Sequence, residues 1–332
     1  MAAAETKLRR IRLLLLTGLL AFASPPVESA PISKQTFTYK RVGDLEIKLD
    51  VYRYDDKLAR KVAVWIHGGA LINGGRQGVS ARVKRDMLNA GYVLVSLDYR
   101  LAPETKLPGI IEDLEDAFEW IRKHGAAKFD ADVSRIAVVG GSAGGYLTLT
   151  SGFRIAPPPS VLVSFWGYGD LVGPWYSSPS PHPRHNRKKI SRQEARRNAS
   201  GPPIANASDR KGDGGAVYLH ARQQGSWPTL VTGWDPHKEP EKFHPFMAVK
   251  NVSKSFPPTL MIHGKNDTDV PHEQSVMMAT EFERHGVEHR LISVSGGEHG
   301  LAGASSKAVE SAWASVLPFV QRHMDAESNG AR

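Results

Sequence analysis

The sequence predicts an α/β fold: a mostly parallel central sheet with helices on both faces and one inserted segment. Three observations carry this. Residues 62–66, 93–97, 136–139 and 161–166 are apolar almost throughout, as strands buried on both faces are. Stretches with helical spacing alternate with them; Ile110, Leu114, Ala117, Phe118 and Ile121 mark one helical face. Strand and helix in alternation build a parallel sheet. The rhythm breaks once, after Trp166, and resumes at Thr259.

Taken in order, residues 37–39 and 45–52 read as a hairpin turning at Gly43-Asp44. Strand 62–66 ends in His67-Gly68-Gly69-Ala70, and a helix follows over 80–89, closed by Gly91. Strand 93–97 runs into Asp98-Tyr99-Arg100-Leu101-Ala102-Pro103-Glu104, where Arg100 and Glu104 are expected to pair. A helix over 108–124 is expected to stop at Gly125. Strand 136–139 leads into a glycine-rich turn and a helix from Ser142 to about Ser151. Residues 167–226 are rich in Pro, Gly, Ser and Arg and show one weak helical stretch, 191–198. They are expected to form a cap inserted in one catalytic domain (24–332), loosely held because such a composition buries little apolar surface. Strand 259–263, helix 273–285, strand 290–294 and helix 305–323 complete the chain.

Residues 1–23 read as a secretory signal peptide. Lys7, Arg9, Arg10 and Arg12 form a basic start, an apolar run follows, and Ala21-Phe22-Ala23 supplies the small-x-small cleavage pattern. The expected location is secreted or periplasmic, with no stable membrane span after cleavage. The 332 residues contain no cysteine, which removes disulfides and thiolate metal sites from consideration. The formal net charge is +9. Residues 180–225 hold ten Lys/Arg against three acids, so the excess is concentrated there. The rest is near neutral, which argues against a general nucleic-acid binder.

Chemistry concentrates at Gly140-Gly141-Ser142-Ala143-Gly144-Gly145. Gly140, Ser142 and Gly144 fit G-x-S-x-G, a sharp strand-to-helix turn that lifts a serine hydroxyl out of the sheet. The helix start offers the Ala143 N–H to the same spot. A serine needs a base, and the base needs an orienting carboxylate. Strand 259–263 exits into Asn266-Asp267-Thr268-Asp269, and strand 290–294 exits into Gly297-Glu298-His299-Gly300. Asp267 and His299 therefore fall beyond the carboxyl ends of strands, where α/β proteins place their reacting groups. Asp269 is the rival acid. Gly68 and Gly69 can turn their N–H groups toward a developing oxyanion, each typically worth about 3 kcal/mol. The aromatic residues Trp166, Tyr168, Trp175, Tyr176 and Trp227 either line a substrate pocket or pack the cap.

These residues together resemble the α/β-hydrolase fold esterases of the hormone-sensitive-lipase-like group and their bacterial carboxylesterase relatives. The resemblance spans residues 62–303 and rests on His67-Gly68-Gly69, Asp98 to Glu104, the Ser142 turn, His263-Gly264 through Asp267, and His299-Gly300. It implies a serine esterase with Ser142 as nucleophile, Asp267 as acid, His299 as base, and Gly68, Gly69 and Ala143 as oxyanion donors. It implies a small-molecule ester substrate and no metal or organic cofactor. Ala70 departs from the family, where a third glycine is common, but it still carries an N–H. The same triad serves amide cleavage of the prolyl-oligopeptidase or arylformamidase kind. A binding protein on a degenerate hydrolase fold would lack one of these residues, and none is missing.

Overall fold

The computed structural model describes residues 31–199 and 201–325. The segment read as a signal peptide lies outside the described residues. Eight strands form one sheet: β1 (Ile32–Val42), β2 (Leu45–Tyr54), β3 (Arg60–Ile66), β4 (Val93–Leu97), β5 (Ala131–Gly141), β6 (Val161–Phe165), β7 (Thr259–Gly264) and β8 (His289–Val294). Their spatial order is β1-β2-β4-β3-β5-β6-β7-β8. The β1/β2 and β2/β4 pairs are antiparallel, and the remaining pairs are parallel.

Both faces of the sheet are covered, which is why the central strands are mostly apolar, with buried polar residues such as Ser96 in β4 and Ser164 in β6 the exceptions. Val62, Val64 and Ile66 of β3 face one core, and Ala63 and Trp65 face the other. The first core is closed by α2 (Leu107–Phe129), α3 (Ala143–Arg154) and α9 (Glu273–His285). The second is closed by α1 (Ala81–Asn89), α10 (Ser306–Trp313) and α11 (Val316–Asp325). Helix α2 runs through Gly125 and ends at Phe129, where Asp130 adopts the left-handed conformation. Gly125 is buried against Val133 and Ala131, so packing on β5 outweighs its weak helix propensity. The expected closing helix is divided into α10 and α11. No helix of the described residues is long and apolar enough to cross a membrane.

Between β6 and β7 the chain leaves the sheet and forms short helices: α4 (Pro174–Ser177), α5 (Pro183–Asn186), α6 (Arg192–Arg197), α7 (Gly214–Gln224) and α8 (Trp227–Thr232). This segment is seated more firmly than its composition predicts. Tyr168, Leu171, Tyr176, Val217, Ala221, Trp227 and Val231 are buried in the same core as α2 and α3. Tyr176 stacks on Trp227 at 3.9 Å, and the Trp227 indole N–H donates to the Ala70 carbonyl at 3.0 Å. Of the two roles open for the aromatics, Tyr168, Tyr176 and Trp227 take the packing one.

The loop after β4 also differs from expectation. Arg100 does not pair with Glu104. It donates to Asp113 of α2 at 2.7 and 2.8 Å, and Glu104 instead accepts from Arg210 of the inserted segment at 2.7 Å. Asp113 has no solvent exposure and also receives Lys40 at 2.9 Å, so it attracts the nearest guanidinium.

Candidate active site

β3, β5, β6, β7 and β8 run parallel and adjacent, so their carboxyl ends line one edge of the sheet. Ser142 sits between β5 and α3 with φ 57° and ψ −121°, a conformation most L-residues avoid. The turn is that tight because β3 lies close by: a side chain at Gly144 would run into the carbonyls of Ile66 and His67. Ser142 is fixed by donating its N–H to the Phe165 carbonyl at 2.9 Å and by accepting from Tyr146 N–H at 2.9 Å. From Ile136 to Gly152, every residue except Ser142 is buried. The serine thus projects from an otherwise closed surface.

The backbone strain is concentrated here. Non-glycine residues with positive φ are Ala70, Leu71, Ser142, Trp166 and Leu301 at this edge, with only Lys57 and Asp130 elsewhere among the described residues. Such angles cost about 1–3 kcal/mol each and cluster where function holds them.

His67 to Ala70 follows β3. A side chain at Gly68 would stand 2.7 Å from the Gly141 carbonyl and 3.3 Å from the Ser142 Cβ, so this glycine packs directly against the serine turn. Among the described residues, none accepts from the N–H groups of Gly68, Gly69 or Ala143. His67 is stacked on Tyr99 at 4.2 Å, and burial pushes its pKa down to about 4, so it is neutral. The Tyr99 hydroxyl donates to the His67 carbonyl at 2.9 Å. These contacts shape the glycine loop.

Asp267 and His299 come together from the ends of β7 and β8. His299 Nδ1 lies 2.7 Å from Asp267 Oδ2. Asp267 Oδ1 accepts the N–H groups of Asp269 and Val270 at 2.8 and 2.9 Å. Burial raises the Asp267 pKa, but bonding to His263 and His299 and the His299 charge outweigh it and hold the carboxyl at about 2. Trp166, at the end of β6, lies against Gly141 and meets the His299 ring edge-on at 6.2 Å. It bridges the serine turn and the histidine.

The rival acid occupies a different place. Asp269 Oδ2 is 3.8 Å from His299 Nε2, on the opposite side of the ring from Asp267. Its Oδ1 accepts from Tyr218 at 2.5 Å and from His185 at 2.8 Å. Sequence reasoning did not place Trp166 and Glu298 against the histidine, nor Arg184 beside Glu298 and Asp269. Trp166 carries a signal, its position at a strand end. Arg184 is one of ten basic residues in a basic segment and carries none. Among the described residues there is no cluster suited to hold a metal ion.

Fold and edge together define an α/β hydrolase. Residues 63–303 match the alpha/beta hydrolase fold family, and the chain belongs to it. A curated relative, the non-reducing polyketide synthase adrD of Penicillium rubens, is 28% identical over 83% of this chain. The chain spans only 13% of that relative's length. Among solved structures, a protein of unknown function from Staphylococcus aureus superposes with a TM-score of 0.69 at 20% identity, covering 88% of this chain and 99% of its own. A bacterial heroin esterase superposes with a TM-score of 0.63 at 21% identity, covering 88% of this chain and 84% of its own. At such identities the structural likeness speaks for the fold alone.

Proposed function

We propose that this protein is a serine hydrolase that cleaves carboxylic esters through an acyl-enzyme. The observation that carries the reading is the 2.7 Å hydrogen bond between His299 and Asp267 at the sheet edge from which the strained Ser142 projects. Ser142 attacks the ester carbonyl while His299 takes its proton at Nε2 and later returns it to the leaving alcohol. Asp267 holds the Nδ1–H tautomer and balances the imidazolium. The N–H groups of Gly68, Gly69 and Ala143 receive the oxyanion; their freedom from other acceptors supports this role. The inserted segment acts as the cap that covers the acyl and alcohol groups. The mature enzyme works outside the cytoplasm, as the basic and apolar start of the chain suggests.

An organophosphate tests this directly. It is expected to label Ser142 with one equivalent and to abolish turnover of p-nitrophenyl esters. Labelling at another residue, or an active Ser142→Ala variant, rejects the assignment. A panel of p-nitrophenyl esters beside aminoacyl and N-formyl amides settles the bond cleaved, and higher kcat/KM on the amides would replace the ester reading.

A further inference from the structure

Asp269 has a geometry that packing alone does not explain. Its Oδ1 collects three side-chain donors from the inserted segment: His185 Nε2 at 2.8 Å, the Tyr218 hydroxyl at 2.5 Å and Arg222 Nη1 at 3.3 Å. The Arg222 guanidinium also donates to the Asp269 carbonyl at 2.8 Å and lies 4.9 Å from the centre of the Tyr176 ring. Oδ2 has no such donor among the described residues. It faces Arg184 at 3.6 Å and His299 Nε2 at 3.8 Å. One oxygen is anchored to the inserted segment, and the other is presented to the nitrogen that exchanges a proton with Ser142.

We infer that Asp269 is a positioning residue for the hydrolytic reaction: seated by the inserted segment, its carboxylate stabilises the His299 imidazolium from the Nε2 side. This rests on the reading of His299 as the base. At 3.8 Å the carboxylate is beyond hydrogen-bond reach of the free imidazole, so it leaves Nε2 available to Ser142. Once Nε2 takes the proton, the positive charge forms opposite a fixed anion. The two aspartates then divide the ring, Asp267 on Nδ1 and Asp269 toward Nε2. Burial raises the Asp269 pKa, but hydrogen bonding to His185 and the charge of His299, followed by Tyr218 and Arg184, hold it well below the usual carboxylate range. It is therefore held as an anion at neutral pH.

The surroundings of the pair set the sign of the test. The side chains on His299 are Asp267, Asp269 and Trp166, and its backbone N–H donates to Glu298 at 2.5 Å. Arg184 reaches Glu298 at 2.6 Å as well as Asp269, so it is the cation that opposes imidazolium formation. His185 is buried, and burial first of all lowers its pKa, so it donates to Asp269 as a neutral ring. His263 contacts Asp267 at 3.3 Å and the Val270 carbonyl at 2.9 Å.

The test is the pH profile of kcat/KM on a neutral ester, p-nitrophenyl butyrate. Removing the anion in Asp269→Asn is expected to move the acidic limb to lower pH by about one unit and to lower kcat about tenfold. Removing the cation in Arg184→Gln is expected to move the limb the other way, by about a third of a unit. Asp269→Glu keeps the charge and is expected to restore the limb. A residue with a purely structural role would lower kcat without opposite shifts of the limb. Limbs that stay in place, or that move in the same direction, overturn the inference even when kcat falls. Asp269→Asn leaves Arg222 buried without its partner. If it does not fold, the half-exposed Arg184 decides alone, and an unmoved limb in Arg184→Gln overturns the inference. An active Ser142→Ala variant overturns the function and this inference with it. An inactive Ser142→Ala with unmoved limbs overturns this inference only.

Discussion

The carboxyl edge of the sheet and the segment inserted after β6 reach order by different routes. At the edge, each side chain of the proposed triad is placed by its own strand. Ser142 follows β5, Asp267 follows β7 and His299 follows β8, and sheet pairing carries them to one line. In the inserted segment, placement depends on partners distant in sequence. Arg210 finds Glu104, Trp227 finds the Ala70 carbonyl, Arg184 finds Glu298 and Arg222 finds Asp269. The first kind of order is local and backbone-driven. The second is a set of side-chain pairs that exist only once the core is built.

The contrast is tested most severely at the edge. On the proposed mechanism, Ser142→Ala is expected to lower kcat by about 10⁴-fold or more, with the melting temperature unchanged, since a hydrolase without its nucleophile keeps only the residual catalysis of binding and oxyanion stabilisation. Asp267→Asn is expected to cost about 10³–10⁴-fold, because the imidazole loses its tautomer and its counter-charge. Asp267 also bears on acid stability. Its folded pKa of about 2 lies below the ordinary 3.8, so its contribution of about 2 kcal/mol is complete above pH ~4 and is lost as pH falls through 2. Acid unfolding followed by circular dichroism is expected to begin at higher pH in Asp267→Asn. An unchanged midpoint would place the stabilising contacts elsewhere.

This division explains what was legible beforehand. The parallel sheet was readable because β3 to β7 are buried on both faces and therefore apolar at nearly every position. That Asp267 and His299 lie beyond the ends of β7 and β8 was readable because strand ends are readable. The end of α2 was not, because a glycine that ends helices elsewhere is retained here by contact with Val133 and Ala131. The Arg100 partner was misread for a related reason: Asp113 lies on α2, thirteen positions away, and only the packing of α2 beside the loop brings it near. The inserted segment was the least legible part. Its Pro, Gly, Ser and Arg content signals loose chain, yet Tyr168, Tyr176, Trp227, Arg210, Arg222 and His185 are spent on the seam with the core, while Ile190, Ala195 and Ala216 pack into a small cluster of the segment's own.

That seam is the next place to press. The Glu104–Arg210 pair leaves only 3% of each side chain exposed. Arg210 also donates to the carbonyls of Ile72 and Ala102, at 2.6 and 2.9 Å, so it ties three core positions to the inserted segment. Glu104→Gln strands a buried guanidinium and is expected to destabilise the protein by about 3 kcal/mol in urea unfolding. The double variant Glu104→Leu with Arg210→Met is expected to recover most of that loss, since an apolar pair carries no desolvation cost. A loss below about 1 kcal/mol in the single variant would mean that the aromatic packing alone seats the segment.

The smallest effects are expected on the outer surface of the same segment. Arg192 and Arg196 lie on α6 and are exposed, although Ala195 between them is buried. With Lys106 and His220 they line a cavity of about 600 Å³ whose floor includes Val217 and Ala221. Exposed cations away from caps, cores and pairs contribute within about 0.5 kcal/mol of stability. Replacing both arginines by glutamine is therefore expected to leave unfolding and the rates on neutral esters unchanged. Their charge acts at longer range, where it is screened over about 10 Å at 0.1 M salt. If the basic surface only solvates the segment, anionic and neutral esters keep the same rate ratio from low to high salt, in the wild type and in the double variant alike. A ratio that falls with salt in the wild type and is flat in the variant would give this surface a part in substrate capture. The inserted segment would then serve the reaction from both sides, by seating Asp269 from its inner face and by long-range attraction on its outer one.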